Sequence, residues 1–262
     1  MIIAVSDIHL GTESSNRSDF LSFLNSCDKE AIDHLVLLGD IMDFWRRNNA
    51  GVVAEKKNGE ILDKIARLNA GKVHYVIGNH DYSLLKFSER YGDVYPFGIT
   101  KSLRLEENGQ PYYFIHGYEL EVLETLEPAS VDLYETFSEN MCYAGDVVGS
   151  VAGAVWCIKE GCEKILESTT KFLKKPPGER KNIGNLYNLA ISPGAYIFLG
   201  MKPDEYLVYG HTHRPYTSKT HKRANTGAWV RDNSLPDSCI NTYVKISDKE
   251  VSLRKFDPGA FP

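Results

Sequence analysis

Residues 34–43 read His-Leu-Val-Leu-Leu-Gly-Asp-Ile-Met-Asp, so an apolar run ends abruptly at a glycine and two aspartates. A short, uninterrupted apolar run of this kind predicts a strand that is buried on both faces of a sheet. The glycine permits the tight turn by which the backbone leaves the strand. Four other apolar runs end in similar polar clusters: Asp7-Ile8-His9, Gly78-Asn79-His80-Asp81, His116-Gly117 and Gly210-His211-Thr212-His213.

The segments between these clusters predict a layered α/β fold. Strands are expected at 2–5, 34–38, 73–77, 112–115 and 206–209, and antiparallel strands at 218–224, 240–246 and 251–256. Apolar residues at helical spacing predict helices around 20–24 and 61–68, the second of them ended by Gly71. Strands that alternate with helices indicate sheets covered by helices.

The stretch 119–200 interrupts this alternation, because it is mostly helical in pattern apart from a Pro-Pro-Gly break at 176–178. We therefore expect one domain over residues 1–262, with a helical insertion or cap at 119–200. Within it, small residues recur at multiples of four: Gly145, Gly149, Gly153, Cys157 and Gly161. This smooth stripe leaves three interpretations open, namely packing within the cap, contact in a homo-oligomer, and a peripheral membrane or lipid contact.

Composition excludes several classes of protein. The 262 residues, 42% hydrophobic and 25% charged, are typical of a globular domain. A net charge of −5 argues against a broad basic surface, so no duplex nucleic acid is expected as a partner. Five cysteines without a C-x-x-C pair, and no secretory signal, predict reduced thiols in a cytoplasmic protein. No apolar run approaches the roughly 20 residues that span a bilayer.

The polar clusters predict a metal site. The carboxyl ends of strands in an α/β protein converge on one crevice, and five of the eight histidines lie in these clusters. Imidazole and carboxylate ligands without thiolates suit Mn, Fe, Zn, Co or Ni. Two such ions about 3.5–4 Å apart can clamp a phosphoryl group and generate a hydroxide nucleophile at neutral pH. A bridging carboxylate is then needed, and Asp40 is the best-placed candidate.

The motifs D-x-H, G-D-x-x-D, G-N-H-D, H-G and G-H-x-H occur in this order from Asp7 to His213. Together they resemble the calcineurin-like metallophosphoesterases. The resemblance implies a two-sheet sandwich flanked by helices and a centre of two divalent metal ions, with manganese the first expectation. It also implies hydrolysis of a phosphodiester, pyrophosphate or phosphomonoester by a metal-bound hydroxide.

The same resemblance implies a role for each motif residue. Asp7, His9 and His213 would hold one metal, Asn79, His116 and His211 would hold the other, and Asp40 would bridge them. His80 would donate a proton to the leaving group or stabilise the transition state electrostatically. Asp43 would orient His80 by a hydrogen bond, and Asp81 would have a supporting role.

Each assignment has a plainer alternative. Asp7 and His9 alone fit a strand cap, and His80 fits a structural turn histidine. His34, His74 and His221 are expected to be structural or solvated, and the cysteines to be inert small hydrophobes. Five basic residues of the insertion fit a solvated loop better than an anion-binding surface: Lys171, Lys174, Lys175, Arg180 and Lys181.

Finer features concern the substrate. Phe44 stands where Ser/Thr protein phosphatases have arginine, which argues against that activity. Trp45 and the segments 6–11, 210–215 and 225–229 resemble the UDP-2,3-diacylglucosamine pyrophosphatase branch, although that branch has arginine where this chain has His80. The favoured substrate is therefore a small nucleotide-linked or lipid-linked pyrophosphate.

Arginines near the crevice are candidates for binding a phosphate, since a guanidinium can hold phosphate in a bidentate pair. They are Arg46, Arg47 and Arg214. The enzymatic alternative is a nuclease or a cyclic-nucleotide phosphodiesterase. A non-catalytic scaffold is the alternative from another class, and the complete set of motif residues argues against it.

Overall fold

A computed structural model describes residues 1–47, 49–91, 97–125, 131–144, 183–231 and 235–260 of the chain. The strands are β1 (Ile2–Val5), β2 (Ile32–Leu38), β3 (Ala70–Val76), β4 (Gly98–Thr100), β5 (Ser102–Glu107), β6 (Gln110–Ile115), β7 (Tyr206–Tyr209), β8 (Tyr216–Ser218), β9 (Arg223–Asn225), β10 (Thr242–Ser247) and β11 (Glu250–Lys255). The α-helices are α1 (Arg17–Cys27), α2 (Asn49–Ala54), α3 (Lys56–Ala66), α4 (Ser83–Tyr91), α5 (Tyr118–Thr125), α6 (Val131–Ala144), α7 (Ile183–Ile191) and α8 (Pro193–Phe198).

The strands form two sheets. One has six strands in the order β11-β10-β1-β2-β3-β4, and the other has five in the order β5-β6-β7-β9-β8. In the first sheet, β1 to β4 run parallel, and β10 runs antiparallel to both of its neighbours, β1 and β11. In the second, β6, β7 and β9 run parallel. The polar clusters therefore follow the carboxyl ends of parallel neighbours in both sheets.

The alternation of side chains along a strand explains the layers. On β1, Ile2 and Ala4 enter the core between the two sheets, whereas Ile3 and Val5 enter the core beneath α1 and α3. The outer face of the five-stranded sheet packs against α5, α7 and α8. The predicted sandwich flanked by helices is thus confirmed, with helices on the outer face of each sheet.

Several boundaries differ from the sequence predictions. Helix α3 ends at Ala66, and Gly71 lies inside β3, where a parallel neighbour fixes an extended backbone. The segment 218–224 is not one strand but contains the turn between β8 and β9, and β9 pairs parallel with β7. The short strands β4 and β5 were not predicted.

The described parts of the predicted insertion are helical, from α5 to α8. The small-residue stripe, Cys157, Cys162 and the basic residues at 171–181 lie outside the described residues. Cys27 and Cys142 are buried, and burial raises the pKa of both thiols to about 12, which opposes thiolate chemistry. No helix among the described residues has the length and apolar character needed to cross a bilayer.

Candidate metal centre

Five of the predicted ligands lie in turns with an unusual backbone. Asp7, His9, Asp40, His211 and His213 have φ values of 55°, 51°, 53°, 64° and 58°. Residues with a Cβ rarely adopt positive φ, and such strain concentrates at functional sites. The chain leaves each strand in such a turn. In the motifs D-x-H and G-H-x-H, the turn brings two ligand side chains to the same space.

Two glycines allow the turns to approach each other closely. A Cβ on Gly78 would overlap the Asp40 carboxylate, and a Cβ on Gly39 would overlap the imidazole of His116. Gly39 also has a positive φ of 81°. The glycines of the motifs are therefore needed for space as well as for turning.

The first cluster of donors comprises Asp7, His9 and His213, whose ligand atoms lie within 4.8 Å of one another. His213 Nε2 lies 3.1 Å from Asp7 Oδ1. His9 Nε2 lies 3.8 Å from Asp7 Oδ1 and 3.8 Å from Asp40 Oδ2. This imidazole thus faces a carboxylate on either side.

The second cluster comprises Asp40, His116 and His211. His116 Nε2 lies 3.2 Å from Asp40 Oδ2 and 3.3 Å from His211 Nδ1. Because Asp40 Oδ2 also lies near His9, this one oxygen faces both clusters. The carboxylate of Asp40 therefore lies between the two clusters.

In the buried imidazoles of the clusters, the ring nitrogen that faces away from the other donors, called the remote nitrogen, has a protein partner. His116 Nδ1 donates to the carbonyl oxygen of Leu38 at 2.8 Å, and His9 Nδ1 lies 3.0 Å from Asp43 Oδ2. Such partners fix the tautomer and leave the other nitrogen available as a ligand, as in known metal sites.

Three polar atoms of the predicted ligands are buried without a hydrogen bond to any described residue: Asp7 Oδ1, His9 Nε2 and Asn79 Oδ1. Asp7 Oδ1 has instead an ion-pair contact with His213 Nε2 at 3.1 Å. A buried polar atom without a hydrogen bond costs about 1–3 kcal/mol, so three together call for a ligand. The donor set fits borderline divalent cations, because it combines imidazole, carboxylate and amide oxygen.

The field in the crevice favours positive charge. Burial alone would lower the pKa of His116, but Asp40 and Asp7 raise it to about 10. Burial likewise opposes protonation of His9, and Asp43, Asp7 and Asp40 raise its pKa to about 9. The neighbouring imidazoles hold the pKa of Asp40 well below its usual range despite its burial. The carboxylates therefore stabilise a cation here, either a proton or a metal ion.

His80 lies beside the two clusters and its side chain is 12% exposed. Its backbone N–H donates to Asp40 Oδ1 at 2.8 Å, and its Nδ1 lies 3.1 Å from Asp43 Oδ1. The ring of Trp45 stacks on it at a centroid distance of 4.3 Å. Three neighbours thus fix the orientation of His80. Asp43 contacts both His9 and His80, whereas the sequence predicted only the second contact.

The predicted phosphate-binding arginines have other partners or are exposed. Arg46 binds Asp43 through its side chain and, at 3.0 Å, through its backbone N–H. Arg47 pairs with Glu55, away from the clusters. Arg214 is exposed, and its backbone N–H lies 3.3 Å from Thr212 Oγ1. Arg46 alone is tied to a residue that contacts the predicted centre.

Two buried carboxylates support the loops. Asp81 accepts hydrogen bonds from the backbone of Ile41 and Gly78 and from the Tyr75 hydroxyl, at 2.6–2.8 Å, so it joins the turns after β2 and β3. Glu121 contacts His211 Nε2. The sequence analysis assigned Asp81 a supporting role and missed Glu121, because no local pattern connects residues 90 positions apart.

Fold and site together define a two-sheet α/β hydrolase built around clustered histidine and aspartate side chains. Residues 1–215 match the calcineurin-like phosphoesterase family, and the chain belongs to that family. The chain is therefore a metal-dependent phosphoester hydrolase, which confirms the class expected from the motifs. No curated protein sequence gives a match.

Similar solved structures share 11–15% sequence identity with the chain. An archaeal phosphodiesterase is 15% identical with a TM-score of 0.46, over 97% of this chain and 98% of the other. A dimetal phosphatase from Danio rerio is 11% identical with a TM-score of 0.44, over 98% of both chains. A predicted phosphoesterase from Streptococcus pneumoniae TIGR4 is 13% identical with a TM-score of 0.38, over 98% and 92%. The family assignment rests on the sequence match.

Proposed function

We propose that this hydrolase cleaves a pyrophosphate linkage in a small nucleotide-linked or lipid-linked substrate, using two divalent metal ions. The observation that supports a dinuclear site is the convergence of two donor clusters on one oxygen of Asp40. Three buried polar atoms of the predicted ligands also have no hydrogen bond within the described part of the chain. Such a site binds a phosphoryl group between two cations.

In this proposal Asp7, His9 and His213 hold the first ion. Asn79, His116 and His211 hold the second, and Asp40 holds both. When bound, the two ions neutralise charge on the phosphoryl oxygens and make water a nucleophile at neutral pH. These ligands suit Mn, Fe, Zn, Co and Ni alike, and manganese, which the family resemblance favours, is the first ion to test.

His80 is the proposed proton donor. Asp43 occupies its Nδ1 side, so Nε2 is the nitrogen left to deliver a proton to the leaving oxygen. Trp45 packs along the ring face and restricts its rotation. An imidazolium in this position also stabilises negative charge on the leaving oxygen.

The substrate class is supported by sequence features around the centre. Trp45 lies two positions after the second motif. This residue and the segment Gly210-His-Thr-His-Arg-Pro215 resemble the UDP-2,3-diacylglucosamine pyrophosphatase branch. His80 differs from the arginine of that branch, so the diacylglucosamine substrate itself is not carried over. We propose a cytoplasmic enzyme that acts on a pyrophosphate of the same general kind.

The test uses metal-stripped protein titrated with Mn²⁺ and other divalent ions. Bis-p-nitrophenyl phosphate, p-nitrophenyl phosphate and a nucleoside diphosphate sugar serve as substrates. Metal-dependent release of nucleoside monophosphate from the sugar nucleotide would support the proposal. Cleavage of single-stranded DNA or cyclic nucleotides in its place would favour the alternative enzymes, and two bound metals without hydrolysis of any ester would favour a scaffold.

A further inference from the structure

Glu121 is a buried acid on α5, at the start of the predicted insertion. Glu121 is 3% exposed, and its Oε2 contacts Nε2 of His211. Burial of a carboxylate is unfavourable unless a partner compensates it. An imidazole N–H is such a partner. The contact ties a helix of the insertion to a predicted metal ligand in the turn after the neighbouring strand β7.

The chain geometry that produces this contact starts at Gly117. This residue has a φ of 119°, and a Cβ there would lie 3.1 Å from the Tyr209 ring and 3.3 Å from His211 Cβ. The turn after β6 therefore packs directly on the turn after β7. Helix α5 begins at the next residue, so Glu121, one turn into the helix, lies against His211.

The contact decides which nitrogen of His211 faces the centre. With Nε2 directed at Glu121, Nδ1 lies on the other side of the ring, 3.3 Å from His116 Nε2. His9 and His116 follow the same rule, with Asp43 and the Leu38 carbonyl as their remote partners. Among the described residues, the groups of donor atoms within 4.8 Å of one another do not include Glu121. The carboxylate therefore stands behind the imidazole and is not itself placed as a ligand.

We propose that Glu121 is a positioning residue for the second metal ion, which it serves by fixing the tautomer and the orientation of His211. This inference rests on the proposed function. A carboxylate behind a ligating imidazole raises the basicity of the ligand, and loss of such a partner weakens metal binding about 10–100-fold. Helix α5 of the insertion thus supports the centre through Glu121.

The test compares Glu121→Gln and Glu121→Leu with the matched control Glu135→Gln. Glu135 is another buried acid of the insertion, held by Tyr118 and Lys101 and without a contact to the predicted ligands. Mn²⁺ titrations are followed by the electron paramagnetic resonance signal of free Mn²⁺, with turnover measured at each Mn²⁺ concentration. Thermal unfolding in chelator shows whether each variant folds.

We expect two Mn²⁺ steps in the wild-type protein and in Glu135→Gln. In Glu121→Leu one step weakens about 10–100-fold while the other stays within about threefold. Glu121→Gln, which keeps an acceptor oxygen but loses the charge, falls between. Excess Mn²⁺ restores most of the turnover in both Glu121 variants, which a merely structural defect would not allow.

Wild-type affinity for both ions in folded Glu121→Leu would overturn this inference and leave the dinuclear site intact. Equal loss of both steps in the Glu121 variants and in Glu135→Gln would also overturn it, since the effect would then be one of packing. A wild-type protein that binds neither Mn²⁺ nor any other divalent ion of the activity test would overturn the proposed function itself.

Discussion

Histidine serves different ends in two regions of the molecule. One group lies in the crevice, at His9, His116, His211 and His213, and the other is the pair formed by His34 and His74. His34 Nδ1 lies 3.0 Å from His74 Nε2, across the neighbouring strands β2 and β3. Burial, His34 and Lys72 lower the pKa of His74 to about 4. In the crevice, carboxylates overcome burial and raise the pKa of His9 to about 9. One environment excludes positive charge and the other attracts it.

The number of histidines alone therefore does not define a metal site. The crevice imidazoles follow strands, in turns that bring carboxylates beside them, and their remote nitrogens are held by protein acceptors. In the strand pair, one nitrogen of each ring faces the other imidazole. Burial outweighs the carboxylates of Asp33 and Glu107 there, so the pKa of His34 is lowered. The companions of an imidazole, and its place relative to the strand end, decide its chemistry.

The largest effect is expected for Asp40→Ala. Since Asp40 Oδ2 faces both donor clusters, its removal should eliminate both metals together and with them turnover. Metal content per chain after dialysis, measured by mass spectrometry, is the readout. His74→Gln is the control from the other histidine group and should keep both metals. Two metals retained in Asp40→Ala would break the bridging assignment.

His80→Ala should separate chemistry from metal binding. Metal content should stay at the wild-type level while turnover falls about 10²–10⁴-fold, the range for a general acid. The loss should be larger for an alkyl leaving group than for p-nitrophenol, because p-nitrophenolate leaves without a proton. His221→Ala, on the exposed turn between β8 and β9, is the matched control. Equal losses with both leaving groups would remove proton donation from the role of His80.

The sequence predicted what is local in the chain and missed what is remote. Five strand ends with their polar clusters were predictable, because a buried strand and the turn after it are encoded in adjacent residues. Gly71 was misread since the pairing of β2 with β3 overrides its preference to end a helix. The turn within 218–224 depends on the pairing of β9 with β7, and Glu121 meets His211 only after folding.

Asp43→Asn should produce an intermediate effect, because Asp43 supports a ligand and the proposed acid at once. It lies 3.0 Å from His9 Nδ1 and 3.1 Å from His80 Nδ1, and it also binds Arg46. We expect turnover to fall about 10–100-fold and metal affinity to weaken by up to about tenfold. Mn²⁺ titration with turnover measures both. Arg46→Gln, which leaves both histidine contacts in place, should change turnover less than threefold; an equal loss there would shift the role to the ion pair.

The smallest expected effect concerns the pair formed by His34 and His74, and it appears in the pH dependence of the free energy of unfolding. The folded pKa of His74, about 4, lies below its unfolded value of about 6.5, so the unfolded chain binds more protons between these values. The stability that His74 contributes as a neutral side chain is fully present above pH 6.5 and is lost as the pH falls towards 4. Between pH 7 and 5, the free energy of unfolding in chelator should drop about 2 kcal/mol more for the wild-type protein than for His74→Gln.

Denaturant titrations of the wild-type protein and His74→Gln at pH 7, 6 and 5 supply that difference. The crevice histidines act with the opposite sign, since carboxylates raise their pKa and their contribution is lost only as the pH rises through about 9 to 10. They are present in both proteins, so the difference between the two curves isolates His74. Parallel curves for the wild-type protein and His74→Gln would mean that the strand pair accepts protons as readily as the unfolded chain, and the contrast between the two groups of histidines would then rest on the crevice alone.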